Sequence, residues 1–183
     1  MNPLDLIGIY YRPGTLAYRV LTAHSKAVAE AALTVAQRVA HLAPNTGFIQ
    51  EAAMLHDIGI CRVNAPEIGC FGASSYVCHG WLGAQILESH GLPAHARVCE
   101  RHVGVGLSAE DIARQQLALP VRDMLPETLE EQIICFADLF FSKMPPPDGT
   151  RKDPAAVAAS LEPWGPEKTK RFKHWQQIFG ACV

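Results

Sequence analysis

The stretch AAMLHDIGI, residues 52–60, sets an imidazole and a carboxylate side by side, His56 and Asp57, at the end of a run that otherwise reads as buried helix. Burying either group without a partner costs several kcal/mol. Any fold this chain adopts must therefore bring compensating groups to that pair. The residues before it supply one. From Val20 the inward positions run Val20, His24, Val28, Ala31, Val35, Val39 and Leu42, in steps of three and four that trace a single helical face with His24 on it.

The helix that begins near Val20 should stop at Pro44, and TGFIQEAAMLHDIG is a second helix ending at Gly59, with His56 and Asp57 in its last turn. Residues 60–77 lack any period and are rich in Gly, Pro and Ser, the mark of a functional or flexible loop. A third helix starts near His79, and a fourth has Pro93 near its start and Gly104 just past its end. Thr128 with Glu131 three residues on forms a predicted capping box for LEEQIICFADLFFSK. PPPDG at 145–149 breaks the chain, after which Phe172, Trp175 and Phe179 share one face of a last helix folded back on the body. No strand pattern of useful length and no repeat is present, so the predicted fold is all-α. The expected division is a helical domain over 1–144 with a helical appendage over 145–183.

At 183 residues and 49% apolar content the chain can bury one sizeable core. A net charge of −2 gives no general field for nucleic acid or an anionic membrane, so an anionic ligand needs a local site. No apolar run approaches the roughly 18 residues of a membrane span, and the N-terminus lacks the pattern of an export signal. A cytoplasmic protein is expected, with no membrane partner. The six cysteines form no C-x-x-C pair and read as buried thiols rather than as a disulfide or zinc framework.

Asp138 is a second buried-acid anomaly, because Ile134 and Phe141 share its helical face in IICFADLFF. Taken singly, a buried acid or histidine is usually an ion-paired or hydrogen-bonded core residue. His24, His56 with Asp57, His79, His102 and Asp138, however, fall on five separate helices, each inward or at a helix end, and imidazole with carboxylate is a ligand set for divalent metal. His41, His90, His95 and His174 lie outside this pattern and read as surface or structural residues.

The order H…HD…H…H…D with the tetrapeptide HDIG, over roughly residues 20–142, resembles the HD-domain superfamily of metal-dependent phosphohydrolases. CHGWLGAQIL, ERHVGVGL and LPETLEEQIICFAD are further similar to a subgroup of small bacterial and archaeal HD proteins that supplies no substrate. The resemblance implies a helical bundle with a central metal site. His24, His56, Asp57 and Asp138 would hold a first metal, and His79 with His102 a second, Asp57 bridging. Histidine-rich ligation favours iron, manganese, cobalt or nickel over magnesium.

By the same resemblance, the expected activity is hydrolysis of a phosphoester, possible nucleotides included, by a metal-activated water, with His56 and Asp57 as the catalytic pair. Two alternatives stay open: a di-iron oxygenase with a similar ligand set, and a metal-binding sensor module without turnover. The chain departs from the family in lacking a Lys or Arg directly after HDIG, where Ile60 and Cys61 precede Arg62. Arg62 and Arg101 are the candidate phosphate-binding residues. No Glu follows the HD pair before Glu67, which weighs against the nucleoside-monophosphatase branch. The expected partner is a small phosphorylated substrate rather than nucleic acid, and an oligomer is compatible with the sequence.

Overall fold

A computed structural model describes residues 1–143 and 151–180. Helix α1 (Pro3–Tyr10) is capped by Asn2, whose side chain accepts from Leu4 N, and carries Pro3 at its first position. The 23-residue α2 (Leu16–Arg38) starts at the Thr15 cap and buries Val20, Leu21, His24, Val28, Ala31, Ala32 and Val35. Its alanines let α3 (Thr46–Leu55), capped by Asn45, approach closely. Helices α4 (His79–Ser89) and α5 (Pro93–Arg101) pack as a pair on the far side. The short α6 (Ala109–Arg114) follows. Helix α7 (Leu129–Asp138) lies against α2 and closes the bundle.

After residue 150 come α8 (Pro154–Leu161) and α9 (Pro166–Phe179). Phe172 and Phe179 of α9 lie 5.9 and 5.4 Å, centroid to centroid, from Phe136 of α7. All three rings are at most 1% exposed, so the last helix is part of the core. Both the expected 144/145 boundary and the PPPDG break fall outside the described residues, as does Cys182; the other five cysteines are free thiols.

The structure differs from the periodicity reading at several points: α2 ends at Arg38, before the 3₁₀ turn Ala40–Leu42, and α7 ends at Asp138 rather than at Lys143. Helix α1 was not anticipated. Helix α3 stops at Leu55, so His56 and Asp57 lie at its C-terminal junction with a 3₁₀ turn, Ile58–Arg62. The loop beyond is compact rather than loose: Asn64–Ala65 and Cys70–Phe71 form a small antiparallel ribbon. The Tyr11 hydroxyl pins this loop by donating to Ile58 O at 2.6 Å and accepting from Cys61 N at 2.8 Å. Lastly, Thr128 caps α7, but the Glu131 carboxylate turns to Glu127 N at 2.7 Å and to Arg101. The reciprocal capping box is found instead at Ser108 and Asp111.

Candidate metal centre

The HD junction is held against the start of α4 by absent side chains. A Cβ on Gly59 would overlap the His79 carbonyl oxygen and the Gly83 nitrogen and lie 2.8 Å from Gly83 Cα. Only glycine permits this approach, and it brings His79 to Asp57. Three of the four histidines are then oriented identically. Nδ1 of His56 donates to Ala53 O (2.6 Å), Nδ1 of His79 to Tyr76 O (2.7 Å) and Nδ1 of His102 to Cys99 O (2.7 Å). In each case the acceptor is the carbonyl three residues earlier. That bond fixes the tautomer with the Nε2 lone pair facing inward, the arrangement metal-binding histidines use.

The inward nitrogens converge on the two oxygens of Asp57. Oδ2 lies 3.1 Å from His24 Nε2 and 3.2 Å from His56 Nε2, while Oδ1 lies 3.3 Å from both His79 Nε2 and His102 Nε2. Asp138 Oδ1 completes the first group at 2.9 Å from His24 Nε2 and 3.4 Å from His56 Nε2. Two ligand groups therefore share Asp57: His24, His56, Asp57 and Asp138, and Asp57, His79 and His102. Atoms bound about 2.1 Å from one ion at right angles stand about 3.0 Å apart. The observed spacings match that.

Buried lone pairs facing one another need a cation. His79 Nε2 is 3.0 Å from His102 Nε2, and Asp57 Oδ1 and Asp138 Oδ1 are buried without a hydrogen-bond donor. This donor set fits divalent metal, as the sequence implied. The electrostatics are those of a cluster whose two ionised carboxylates draw positive charge to themselves. Burial opposes ionisation of Asp57 and Asp138, yet Lys143 and the surrounding histidines hold both carboxylates well below their usual range. For His56 burial disfavours the charged form, but Asp57 and Asp138 prevail and raise it to about 10. His79, buried and beside His102 and Lys143, is pushed down to about 3 and is the readier neutral ligand.

All six residues chosen from the sequence thus meet in one cluster. Arg62 and Arg101 do not join it among the described contacts. Arg62 is exposed, and Arg101 Nη1 is held by Glu127 (2.8 Å) and Glu131 (3.0 Å). The cation that does reach the cluster is Lys143, unnoticed in the sequence, with Nζ 2.6 Å from Asp57 Oδ2 and 3.4 Å from His24 Nε2. Beside it stands Tyr76, whose ring packs 4.9 Å from His79 and whose hydroxyl burial lifts to about 12. A helix continued through Lys143 would turn it about 140° away from Asp138, five residues earlier. Because α7 ends at Asp138 and tightens into i→i+3 bonds, from Phe140 N to Ala137 O and Phe141 N to Asp138 O, Lys143 returns to the site.

An all-helical bundle around a shared His/Asp cluster defines a class, and comparison with known proteins supplies its family. The HD-domain family model matches residues 21–141, and the chain belongs to that family. The fold is that of the HD domain of the L. monocytogenes phosphodiesterase PgpH, which superposes with a TM-score of 0.53 at 15% identity over 94% of each chain. Two archaeal relatives are named tRNA (cytidine(56)-2'-O)-methyltransferase. The Picrophilus torridus protein is 35% identical over 60% of this chain and 29% of its own length. The Thermoplasma volcanium protein is 31% identical over 76% of this chain and 35% of its own. A Methanocaldococcus jannaschii protein is 37% identical over 49% of this chain and 46% of its own. The chain thus spans about a third to a half of these relatives. No helix among the described residues is long and apolar enough to cross a membrane.

Proposed function

We propose that the protein is a metal-dependent phosphohydrolase acting on a small phosphoester. One observation carries the reading: the two oxygens of Asp57 face two separate histidine groups, the geometry of a carboxylate bridging two ions. In this assignment His24, His56, Asp57 and Asp138 hold one ion, and Asp57, His79 and His102 the other. Their histidine content favours iron, manganese, cobalt or nickel over magnesium. When bound, such a pair supplies a nucleophilic water at neutral pH and neutralises charge on the phosphoryl oxygens.

The chain's own residues supply the rest. The carbonyls of Ala53, Tyr76 and Cys99 keep the imidazoles aimed, so ligand geometry is set before substrate arrives. Asp57, wholly buried and ionised, orients the nucleophile with His56 beside it. Lys143, whose ammonium here pairs with Asp57 Oδ2 and faces His24, would be released from that pair by a bound ion to hold a phosphoryl oxygen in the role of the basic residue missing after HDIG, with Arg62 at the loop as the outer candidate. The names of the archaeal relatives raise RNA as a rival substrate, although the matching segment is only about a third of each.

The experiment is turnover of phosphomonoesters, phosphodiesters, nucleotides and tRNA by the metal-loaded protein with and without oxygen. Expected is anaerobic release of phosphate from a small ester, retained when iron is exchanged for manganese or cobalt. Turnover that needs oxygen and a half-reduced di-iron signal would replace this reading with the oxygenase. Metal binding without turnover across the panel would replace it with a sensor.

A further inference from the structure

Of the six clustered residues, Asp138 is the one that lines a described cavity. The side chains of His24, His56, Asp57, His79 and His102 are at most 5% exposed, whereas Asp138 is 14% exposed and lines a cavity of about 220 Å³. Val105 and Leu107, from the segment after His102, form one wall. Phe141, just past Asp138, forms another, and Leu161 and Trp164 at the end of α8 complete it. The cavity therefore runs from Asp138, a member of the first ligand group, to the C-terminal helices.

Two cations line the cavity, in different states. Lys168 is committed, donating to Gly106 O at 2.7 Å and pairing with Asp111. The Lys152 ammonium has no ion-pair partner among the described residues. The wall is also braced from behind, since Arg171 Nη1 donates to Val105 O at 2.8 Å and Leu107 bridges to Met124. A braced wall selects by size. For scale, an apolar cavity of about 150 Å³ admits benzene.

Resting on the hydrolase reading, we propose that this cavity holds the organic body of the substrate, and that the substrate is a phosphoester of a compact, single-ring alcohol or phenol. Its phosphoryl group sits at Asp138 and Lys143, its ring lies between Phe141 and Trp164, and Lys152 offers an outer contact to a polar or anionic ring substituent. In a polynucleotide, a second nucleotide and the charged backbone would lie outside this mostly apolar cavity and gain nothing from it.

The test is calorimetric binding of phenylphosphonate, methylphosphonate, inorganic phosphate and a short RNA to the metal-loaded protein. Phenylphosphonate is expected to bind about tenfold tighter than methylphosphonate, the scale of one buried, stacked ring. Leu161→Trp, which fills the cavity, should bring that ratio close to one. Trp164→Ala, at a partly exposed position and so little threat to folding, should reduce it severalfold. Equal affinities in the unaltered protein, a ratio indifferent to both variants, or tighter binding of RNA would each overturn the inference. If phosphate binds but the ring adds nothing, the inference alone fails. If no phosphonate or phosphate binds, the hydrolase reading fails with it.

Discussion

Gly59→Ala is the smallest change that should break the site without touching a ligand. The added Cβ would meet backbone, not a movable side chain: it would overlap the His79 carbonyl and the Gly83 nitrogen and stand 2.8 Å from Gly83 Cα. Carbon atoms pack at about 3.5 Å or more, so the last contact alone demands about 0.7 Å of separation between the HD junction and α4. Overpacking of this kind costs about 1–3 kcal/mol where side chains can adjust, and here none can, so a loss at or above the upper figure is expected. The same shift acts on the 3.3 Å spacing of His79 Nε2 and Asp57 Oδ1 and should empty the His79/His102 group first. Urea denaturation with an unchanged slope, together with metal content per chain, reads both effects. Gly83→Ala is the control, because its closest neighbour is the Cys99 sulfur. Cys99→Ala should rescue part of Gly83→Ala and none of Gly59→Ala. A Gly59→Ala protein with unaltered midpoint and full metal would refute the argument that this close approach sets the site.

Asp57→Ala should abolish binding of both ions whereas His79→Ala abolishes one, measured as metal per chain; a second ion surviving Asp57→Ala would end the bridging assignment. Lys143→Ala should raise KM for a phosphoester about tenfold or more while kcat falls less, the loss of one charge-assisted hydrogen bond, with Arg62→Ala the weaker variant. The reverse order would return the phosphate to the loop arginine. Asp111 provides the pH-dependent stability test: burial works against its charge, but Lys168 and Ser108 outweigh it and lower its pKa to about 2. A folded pKa below the unfolded value of about 3.9 stabilises the protein above pH 4, and that contribution, about 2 kcal/mol, disappears as pH falls toward 2. Asp111→Asn should thus be less stable at pH 7 and show a flatter acid limb, and parallel acid limbs for the two proteins would count against this.

What was legible in the sequence followed from cost. A buried histidine or carboxylate is expensive wherever it occurs, so His24, His56, Asp57, His79, His102 and Asp138 each stood out against apolar periodicity, and the structure brings all six together. Long amphipathic helices were legible for the same reason, since α2 needs an inward face over 23 residues. Short elements were not: α1 is eight residues held largely by its Asn2 cap and by tertiary contacts, and its Tyr11 neighbour matters through bonds to residues 47 and 50 positions away. Lys143 failed to stand out because a lysine at a helix end ordinarily faces water. Its role depends on where α7 stops, and the apolar pattern continues smoothly through Leu139, Phe140 and Phe141. Those residues nonetheless serve a different purpose from the helix before them: Phe140 packs on Phe136 and Phe172, Phe141 lines the cavity, and the turn between returns a cation to Asp57. Apolar content predicts that a segment is buried, but which face a following charge takes is set by whether its hydrogen bonds run to the third residue back or the fourth. The candidate ligands stand out by their energy, and the groups proposed to meet the substrate are placed by the ends of helices.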